Sequence, residues 1–203
     1  MATLYHAPRS RSSSVLALID ELGADIDICE VTIPRQDGTG GPDPRNPHPD
    51  GKVPYLVDGD ERIHERGAIM LHLTDSHPKA RLGPRHGEAG RGAYLSWLFY
   101  YQGVMEPVII LHWAQLSHPA LTATLRDFDA MILRLTGALE HGPYLLGDRF
   151  SAADILCSSP FLWFPEMLPD NPVLVDWVGR CAARPSIRRV QMRERQEPGL
   201  PRE

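Results

Sequence analysis

The sequence predicts a small α/β domain followed by an all-helical domain. In the first part of the chain, short β-type runs alternate with helical patterns, whereas apolar residues recur only at helical spacing beyond it. A polar stretch that contains Gly and Pro separates the two patterns. We therefore predict an α/β domain over residues 1–78, a linker over residues 79–87 and a helical domain over residues 88–203.

A strand, a turn, a helix and a second strand open the chain. Residues 3–6 form a strand-like run, and a Ser-rich turn separates it from apolar residues at helical spacing over residues 15–22. Gly23 stands where a helix stop is expected, and residues 26–33 alternate as a second strand would. A helix that connects two consecutive strands favours a parallel pair, which is the usual opening of an α/β domain.

The next part of the chain is irregular at first and then forms a hairpin. Residues 34–52 hold many Gly and Pro residues, which predicts an irregular segment with room for one short helix. Residues 55–57 and 62–64 are β-type runs on either side of a Gly/Asp turn, and a helical pattern begins at Glu65. This pattern predicts a tight β-hairpin that leads directly into a helix.

The proline before the hairpin suggests a binding edge. X-Pro is the peptide bond whose cis form costs only about 0.5–1 kcal/mol. A cis Val53–Pro54 bond would turn the N–H and C=O of Val53 outward, where an extended peptide can pair with them as an added strand. Glu65 and Arg66, beside the unpaired N–H groups of the helix start, would then bind the charged end of that peptide.

Four long helices and a short terminal one are predicted for the rest of the chain. The ranges are residues 88–116, 119–140, 151–167 and 172–183, with a tail helix from Ser186. Proline removes a backbone hydrogen bond and clashes with the preceding turn, so Pro107 predicts a kink in the first of them. That helix carries an apolar and aromatic face, which comprises Tyr94, Trp97, Leu98, Tyr101, Met105, Ile109 and Trp113. Such a face usually belongs to a core or a dimer contact.

Ser151 and Asp154 invite comparison with a Ser/Asp active-site pair, but their spacing is that of a capping box. In a capping box, a serine at the helix start and an acidic residue three positions later bind each other's backbone N–H groups. We therefore predict a structural role for this pair. Replacement of Asp154 by alanine is expected to lower the free energy of unfolding by roughly 0.5–2 kcal/mol.

Composition excludes several classes of function. The net charge is −5 with no long basic run, which argues against a nucleic-acid partner. No apolar stretch has the length of a signal peptide or a membrane span, and we predict a soluble cytoplasmic protein. The three cysteines are widely spaced, so neither a disulfide framework nor a metal site is expected.

The ordered set of Val53-Pro54, a hairpin and Glu-x-x-Ala-Ile over residues 65–69 resembles the glutathione-binding half of the glutathione transferases. The resemblance implies a thioredoxin-like N-terminal domain with a mixed four-stranded sheet, a helical C-terminal domain and a homodimer. It also implies glutathione as co-substrate without a metal ion. Lys52 would meet the glycyl carboxylate of glutathione. The family usually has Glu-Ser or Asp-Ser at the helix start, whereas this chain has Glu65-Arg66; the arginine would contact the glutamyl carboxylate or point into solvent.

In serine-dependent members of that family, a serine after the first strand binds the glutathione sulfur, and the resemblance places it at Ser10. A thiol with a pKa near 8.5 must lose about two units, or about 2.7 kcal/mol, to be mostly thiolate at neutral pH. One hydrogen bond to the charged sulfur supplies roughly 1.5–3 kcal/mol and a helix N-terminus roughly 0.3–1 kcal/mol. Ser12 is the second candidate, with helix capping as its other possible role, and Tyr5 is the third, with its ring expected to pack.

The function implied by the resemblance is conjugation of glutathione to an apolar electrophile. Tyr101, Met105 and Trp113 are the candidate residues of the electrophile pocket. Isomerisation or dehalogenation of a dedicated catabolic substrate is open at this point, and so are two further alternatives. One is a glutathione-dependent disulfide or peroxide reductase that uses the same site, and the other is a non-catalytic binding or regulatory protein with this fold, which the unusual Arg66 keeps open.

Overall fold

The computed structural model describes residues 1–196, and a mixed four-stranded sheet forms its N-terminal part. The strands are β1 (Thr3–His6), β2 (Asp27–Glu30), β3 (Tyr55–Asp58) and β4 (Glu61–His64), in the order β2-β1-β3-β4. Strand β1 is parallel to β2 and antiparallel to β3, and β3 is antiparallel to β4. The predicted strands and hairpin are confirmed, although the second strand is shorter than predicted.

Two helices accompany this sheet. Helix α1 (Ser12–Leu22) connects β1 to β2, and helix α2 (Arg66–Ser76) follows β4 directly. Helix α1 ends at Gly23, whose φ of 60° is the left-handed conformation that glycine adopts at little cost. Apolar side chains of the sheet and of both helices form a buried core, which includes Leu4, Val15, Leu18, Leu56, Ile69 and Leu73. The first 76 residues therefore fold as the local patterns predict.

No helix forms between β2 and β3, so the short helix for which the sequence left room is absent from this segment. Its shape depends on side-chain bonds instead. Asp43 accepts hydrogen bonds from the backbone N–H groups of Thr32 (3.1 Å) and Arg45 (2.9 Å). Gly40 has a φ of 73°, and a Cβ atom there would lie only 2.2 Å from the carbonyl oxygen of Ile33. Glycine is therefore required where the chain folds back on itself.

The C-terminal part is helical throughout, apart from its connecting turns. Its elements are α3 (Arg91–Tyr100), a π-helical turn (Tyr101–Met105), α4 (Glu106–Trp113), α5 (Pro119–Leu125), α6 (Phe128–Leu139), α7 (Ala152–Trp163), α8 (Pro172–Ala182) and α9 (Pro185–Gln196). Short 3-10 turns cover Pro78–Ala80 and Pro165–Met167. The predicted tail helix is present as α9. Residues 197–203 of the predicted helical domain lie outside the described residues.

Two predictions for the helical part need correction. The single helix predicted over residues 119–140 is broken between α5 and α6, where Arg126 has a φ of 69° and Asp127 caps α6 by accepting the N–H of Ala130 at 2.9 Å. The long helix predicted over residues 88–116 contains the π-helical turn immediately before α4. Pro107 has no N–H to donate to the preceding turn, which is consistent with an altered hydrogen-bond pattern at this place.

Ser151 and Asp154 form the predicted capping box at the start of α7. Asp154 is fully buried, and one of its oxygens accepts from the N–H and the hydroxyl of Ser151, both at 2.9 Å. The other oxygen accepts from the N–H of Leu145 at 2.9 Å and from the indole N–H of Trp177 at 3.0 Å. Burial raises the pKa of the Asp154 carboxyl despite these four bonds. The pair therefore joins the start of α7 to Leu145 and to Trp177 of α8.

Candidate active site

A cavity of about 910 Å³ lies between the α/β part and the helical part. On the α/β side it is lined by residues that include Arg9, Ser10, Arg11, Lys52, Val53, Pro54, Glu65 and Arg66. On the helical side the lining residues include Tyr101, Gln102, Glu106, Ile109, Ile110, Trp113, Trp163, Phe164 and Met167. The structure thus brings the predicted glutathione-binding residues together at one cavity, and places an apolar surface opposite them.

Ser10 lies at the edge of this cavity, in the turn before α1. Its Oγ accepts the backbone N–H of Ser12 at 3.2 Å and lies 2.6 Å from the Oγ of Ser12. Its own backbone N–H donates to the hydroxyl of Ser13 at 3.3 Å. These bonds hold the Ser10 hydroxyl at a fixed place beside the start of α1, where the helix dipole favours negative charge.

Ser12 does not line the cavity, which corrects the expectation that it is a candidate for thiol contact. It is the first residue of α1 and is fully buried, with its Oγ 2.8 Å from Nδ1 of His6. Nor is it the N-cap of the helix, since that position belongs to Arg11. Tyr5, the third candidate, also lies outside the lining, and its ring packs edge-on against Tyr55 as predicted.

The Val53–Pro54 peptide bond is cis, and both residues line the cavity together with Lys52. The carbonyl of Lys52 accepts a hydrogen bond from the side chain of Asn46 at 3.1 Å, which ties this edge to the irregular segment. Glu65, the N-cap of α2, has the unusual φ of 69° and presents its carboxylate at the cavity.

Arg66 lies in a place that the sequence did not predict. Its side chain is only 5% exposed and extends from α2 into the helical part rather than into solvent. It donates to the hydroxyls of Tyr101 (2.5 Å) and Ser159 (3.2 Å), and its guanidinium lies 3.0 Å from the carboxylate of Glu106. Arg11 pairs with the same carboxylate from the other side. Burial opposes the charge of Glu106, but Arg66 and Arg11 outweigh it and hold the pKa of this carboxyl below its ordinary value.

Two of the three residues predicted for an electrophile pocket line the cavity. Tyr101 and Trp113 line the cavity, and the Trp113 side chain is 57% exposed. Met105 is fully buried in the core and does not line it. Sequence reasoning placed Ile109 on the apolar helix face without assigning it to the pocket, and it missed the lining residues Ile110, Trp163, Phe164 and Met167. The large apolar residues at the end of α7 could have predicted part of this lining. They continue past the buried positions of the helix, where an apolar side chain is available to line a cavity.

The fold and the cavity define a class of protein. A thioredoxin-like domain, with a cis-proline edge beside the start of α2, shares a cavity with an added helical domain. The chain belongs to the glutathione S-transferase family. Residues 4–84 match the model of the N-terminal domain of glutathione S-transferases, and residues 104–185 match the model of the C-terminal domain.

Individual relatives agree with this assignment. The chain is 28% identical over 206 residues to the disulfide-bond oxidoreductase YfcG of Escherichia coli strain K12, with 92% of each chain covered. The structure of a sphingomonad glutathione S-transferase complexed with glutathione matches with a TM-score of 0.77 at 25% identity, and covers 96% of this chain and 100% of that one. The theta class enzyme of Xanthomonas axonopodis pv. citri, with glutathione bound, matches with a TM-score of 0.72 at 28% identity over 94% of this chain and 97% of that one.

Two absences apply to the described part of the chain. Among residues 1–196, no group of three or more His, Cys, Asp or Glu side chains is arranged to hold a metal ion. Within the same range, no helix is both long enough and apolar enough to cross a membrane.

Proposed function

We propose that the protein is a glutathione transferase that activates the glutathione thiol with Ser10 and conjugates it to an apolar electrophile. One observation carries this proposal. Ser10, the cis Val53–Pro54 edge and the start of α2 line the same cavity, and the helical wall carries several apolar and aromatic side chains besides Gln102 and Glu106. A bound tripeptide would therefore have a site for its thiol, its backbone and its charged end, and an electrophile would have an apolar surface next to the thiol.

Glutathione would bind along the α/β wall. Its cysteinyl backbone would pair with the N–H and C=O of Val53 as an added strand. The first N–H groups of α2 have no partner within the helix and would hold the glutamyl carboxylate, while Glu65 would pair with the glutamyl amine. Lys52 would meet the glycyl carboxylate at the other end.

Arg66 would support this site without being its carboxylate ligand. Its guanidinium is already bonded to Tyr101, Ser159 and Glu106, so the contact to the glutamyl carboxylate would fall to the backbone N–H of Arg66 rather than to its side chain. The departure from the usual serine therefore does not by itself argue for a non-catalytic protein.

The electrophile would bind against α4 and the end of α7. Ile110, Trp113 and Phe164 would supply most of the apolar contact, and Tyr101 would close the pocket beneath them. Catalysis would consist mainly of thiolate stabilisation and proximity, because no further acid or base is required for attack on an activated aryl halide. We further propose that the enzyme is a cytoplasmic homodimer, in keeping with the family, and that residues 79–87 connect its two domains.

A titration with glutathione tests the role of Ser10. The affinity of the wild type and of Ser10→Ala would be measured by calorimetry, with the ultraviolet absorbance of the thiolate recorded on each complex. We expect both proteins to bind glutathione and only the wild type to show thiolate at neutral pH. Ser14→Ala is the matched control, since the Ser14 hydroxyl is already bonded to the carbonyl of Arg11 at 3.0 Å. Thiolate that persists in Ser10→Ala would remove Ser10 from this role, and a wild type that does not bind would favour the non-catalytic alternative.

A second candidate function is glutathione-dependent disulfide reduction, which the similarity to a disulfide-bond oxidoreductase favours. Cys157 and Cys181 are buried, and burial raises the pKa of both thiols, while Cys29 does not line the cavity. The reaction would therefore use two glutathione molecules, which reduce one disulfide to two thiols and leave as glutathione disulfide. Parallel assays with a chromogenic aryl halide and with hydroxyethyl disulfide separate the two functions. The aryl halide reports conjugation, and the disulfide reports reduction.

A further inference from the structure

A chain of short polar contacts leads from the protein interior to Ser10. His6, at the end of β1, is fully buried, and its Nδ1 lies 2.8 Å from the Oγ of Ser12. The Oγ of Ser12 lies 2.6 Å from the Oγ of Ser10, which borders the cavity. The three side chains thus form a line with one end in the core and the other end at the site.

Ser12 has partners for each of its hydrogen-bonding positions. A serine hydroxyl donates one proton and accepts through two lone pairs. The backbone N–H of Ala7 donates to Ser12 at 3.2 Å, which occupies one lone pair. Three other atoms compete for the remaining lone pair and the proton, and the nearest are Ser10 Oγ at 2.6 Å and His6 Nδ1 at 2.8 Å, with the Ala7 carbonyl more distant at 3.3 Å.

The tautomer of His6 decides which way the chain runs. Burial lowers the pKa of His6 to about 4, with Glu30 from β2 acting against this change and Arg193 from α9 acting with it. The ring is therefore neutral near pH 7, and one nitrogen carries the proton. Nε2 has no hydrogen-bond partner among the described residues, and the carboxylate of Glu194 on α9 is 3.9 Å away. Nδ1 pairs with the Ser12 hydroxyl in either tautomer, so the choice rests on Nε2. A proton on Nε2 would be a buried donor beyond hydrogen-bond distance of the Glu194 carboxylate, which already accepts from the Ser13 hydroxyl.

With the proton of His6 on Nδ1, both serines have a defined direction. His6 donates to Ser12, and the Ser12 hydroxyl then donates to Ser10. The Ser10 oxygen accepts from this hydroxyl and from the Ser12 N–H at 3.2 Å, so both of its lone pairs are occupied. The hydroxyl proton of Ser10 has no acceptor within this chain of contacts, so it is free to point into the cavity.

We propose that Ser12 is a positioning residue, which accepts from His6 and donates to Ser10 so that the Ser10 hydroxyl acts only as a donor toward the cavity. This inference rests on the proposed function, in which the acceptor in the cavity is the glutathione thiolate. It names the part that each hydroxyl plays. Ser10 contacts the sulfur, and Ser12 keeps the Ser10 proton from turning inward and strengthens it as a donor, because each bond in such a chain polarises the next.

With the opposite tautomer, loss of the Ser12 hydroxyl would have the opposite effect on the pKa of the bound glutathione thiol. The direction of that pKa change therefore tests the inference. If Nδ1 of His6 were the acceptor, Ser12 would donate to His6 and Ser10 would donate to Ser12. Loss of the Ser12 hydroxyl would then release the Ser10 proton and make the site a better thiolate site.

The pKa of the bound glutathione thiol is measured by ultraviolet titration for the wild type, Ser12→Ala and Ser10→Ala. We expect Ser12→Ala to raise this pKa by about 0.5 units and Ser10→Ala to raise it by about one to two units, with little change in glutathione affinity. An unchanged or lowered pKa in Ser12→Ala would overturn the inference. Thr74→Val is the matched control, because it removes a buried hydroxyl of α2 that bonds to Tyr94 and does not line the cavity.

A second measurement does not depend on glutathione or on the folding of Ser12→Ala. The tautomer of His6 is read in the ligand-free wild type from long-range proton–nitrogen NMR of the imidazole rings, with the His6 signals assigned by their loss in His6→Asn. We expect the proton on Nδ1, and a proton on Nε2 would overturn the inference. A wild type with the Nδ1–H tautomer that leaves the glutathione thiol pKa unchanged would instead count against the proposed function.

Discussion

Two clusters of polar residues border the cavity, and they differ in how they are built. The serine cluster, which comprises His6, Ser10 and Ser12, is neutral and comes from the end of β1 and the adjoining turn. The charged cluster, which comprises Arg11, Arg66, Tyr101 and Glu106, draws its members from both domains. In the first cluster local chain geometry sets the distances, whereas in the second they depend on how the two domains pack.

This difference assigns the clusters two tasks, which are contact with the thiol and contact between the domains. The serine cluster supplies a donor whose hydroxyl contacts run within residues 6–12. The charged cluster places two arginines around one half-buried carboxylate, so it joins the domains strongly but tolerates little change. We therefore expect mutations in the charged cluster to act mainly on stability, and mutations in the serine cluster to act mainly on the thiol.

The largest effect is expected for Glu106→Ala. Arg66 would remain buried without its carboxylate, and such a charge destabilises a protein by about 3–5 kcal/mol. Chemical denaturation would measure this loss. The double variant Arg66→Leu/Glu106→Leu should recover much of it, since apolar pairs replace buried ion pairs at little cost, and Glu140→Ala on the surface should change stability by less than about 0.5 kcal/mol. A Glu106→Ala protein as stable as the wild type would show that the charged cluster does not hold the domains together.

Asp154→Ala sharpens the comparison, because Asp154 is a buried carboxylate of the helical part that lies in neither cluster. Its loss leaves four buried donors without their acceptor, and we expect a loss of about 3 kcal/mol. The folded protein should keep its glutathione affinity and the pKa of the bound thiol. A change in that pKa in the folded fraction would mean that the serine cluster depends on the packing of the helical part after all.

The revised magnitude for Asp154 illustrates what the sequence can predict. Spacing identified the bond between Ser151 and Asp154, because both residues belong to one helical turn. It gave no sign of Trp177, which donates to the same carboxylate from α8. The sequence estimate of roughly 0.5–2 kcal/mol counted only the cap.

The same limit explains the errors at the site. Strands, hairpin and helix starts follow local patterns, and the resemblance located Ser10 and the Val53–Pro54 edge. The direction of Ser12 depends on the tautomer of His6, a fully buried side chain whose Nε2 environment includes Glu194 of α9, and no local pattern predicts it. The partner of Arg66 is Glu106, on a different helix of the other domain, and no local pattern links the two.

A smaller effect is expected in the pH dependence of stability, which tests the charged cluster alone. The pKa of Glu106 is held below its ordinary value of 4.5, so the pair with Arg66 contributes stability above that value and loses it as the pH falls through the lower, folded-state pKa. We expect the difference in stability between wild type and Glu106→Gln to shrink as the pH falls from about 7 to about 3. His6 also destabilises the fold as the pH falls below about 6.5, because burial lowers its folded-state pKa to about 4 and the unfolded chain binds the proton first. This loss is common to wild type and Glu106→Gln, so it cancels in the difference between them. A difference that stays constant with pH would mean that Glu106 is not ionised in the folded protein.

The smallest effect is expected for Arg11→Ala. Arg11 contacts the same carboxylate as Arg66, but its side chain is 55% exposed, and exposed ion pairs contribute only about 0.2–1 kcal/mol. Because Arg66 remains paired with Glu106, the charge of the half-buried carboxylate stays compensated. Chemical denaturation of Arg11→Ala beside Glu106→Ala, at low and at high salt, measures this asymmetry, and salt should reduce the already small loss further. A loss as large as that of Glu106→Ala would mean that the exposed Arg11–Glu106 pair, rather than the Arg66–Glu106 pair, stabilises the charged cluster.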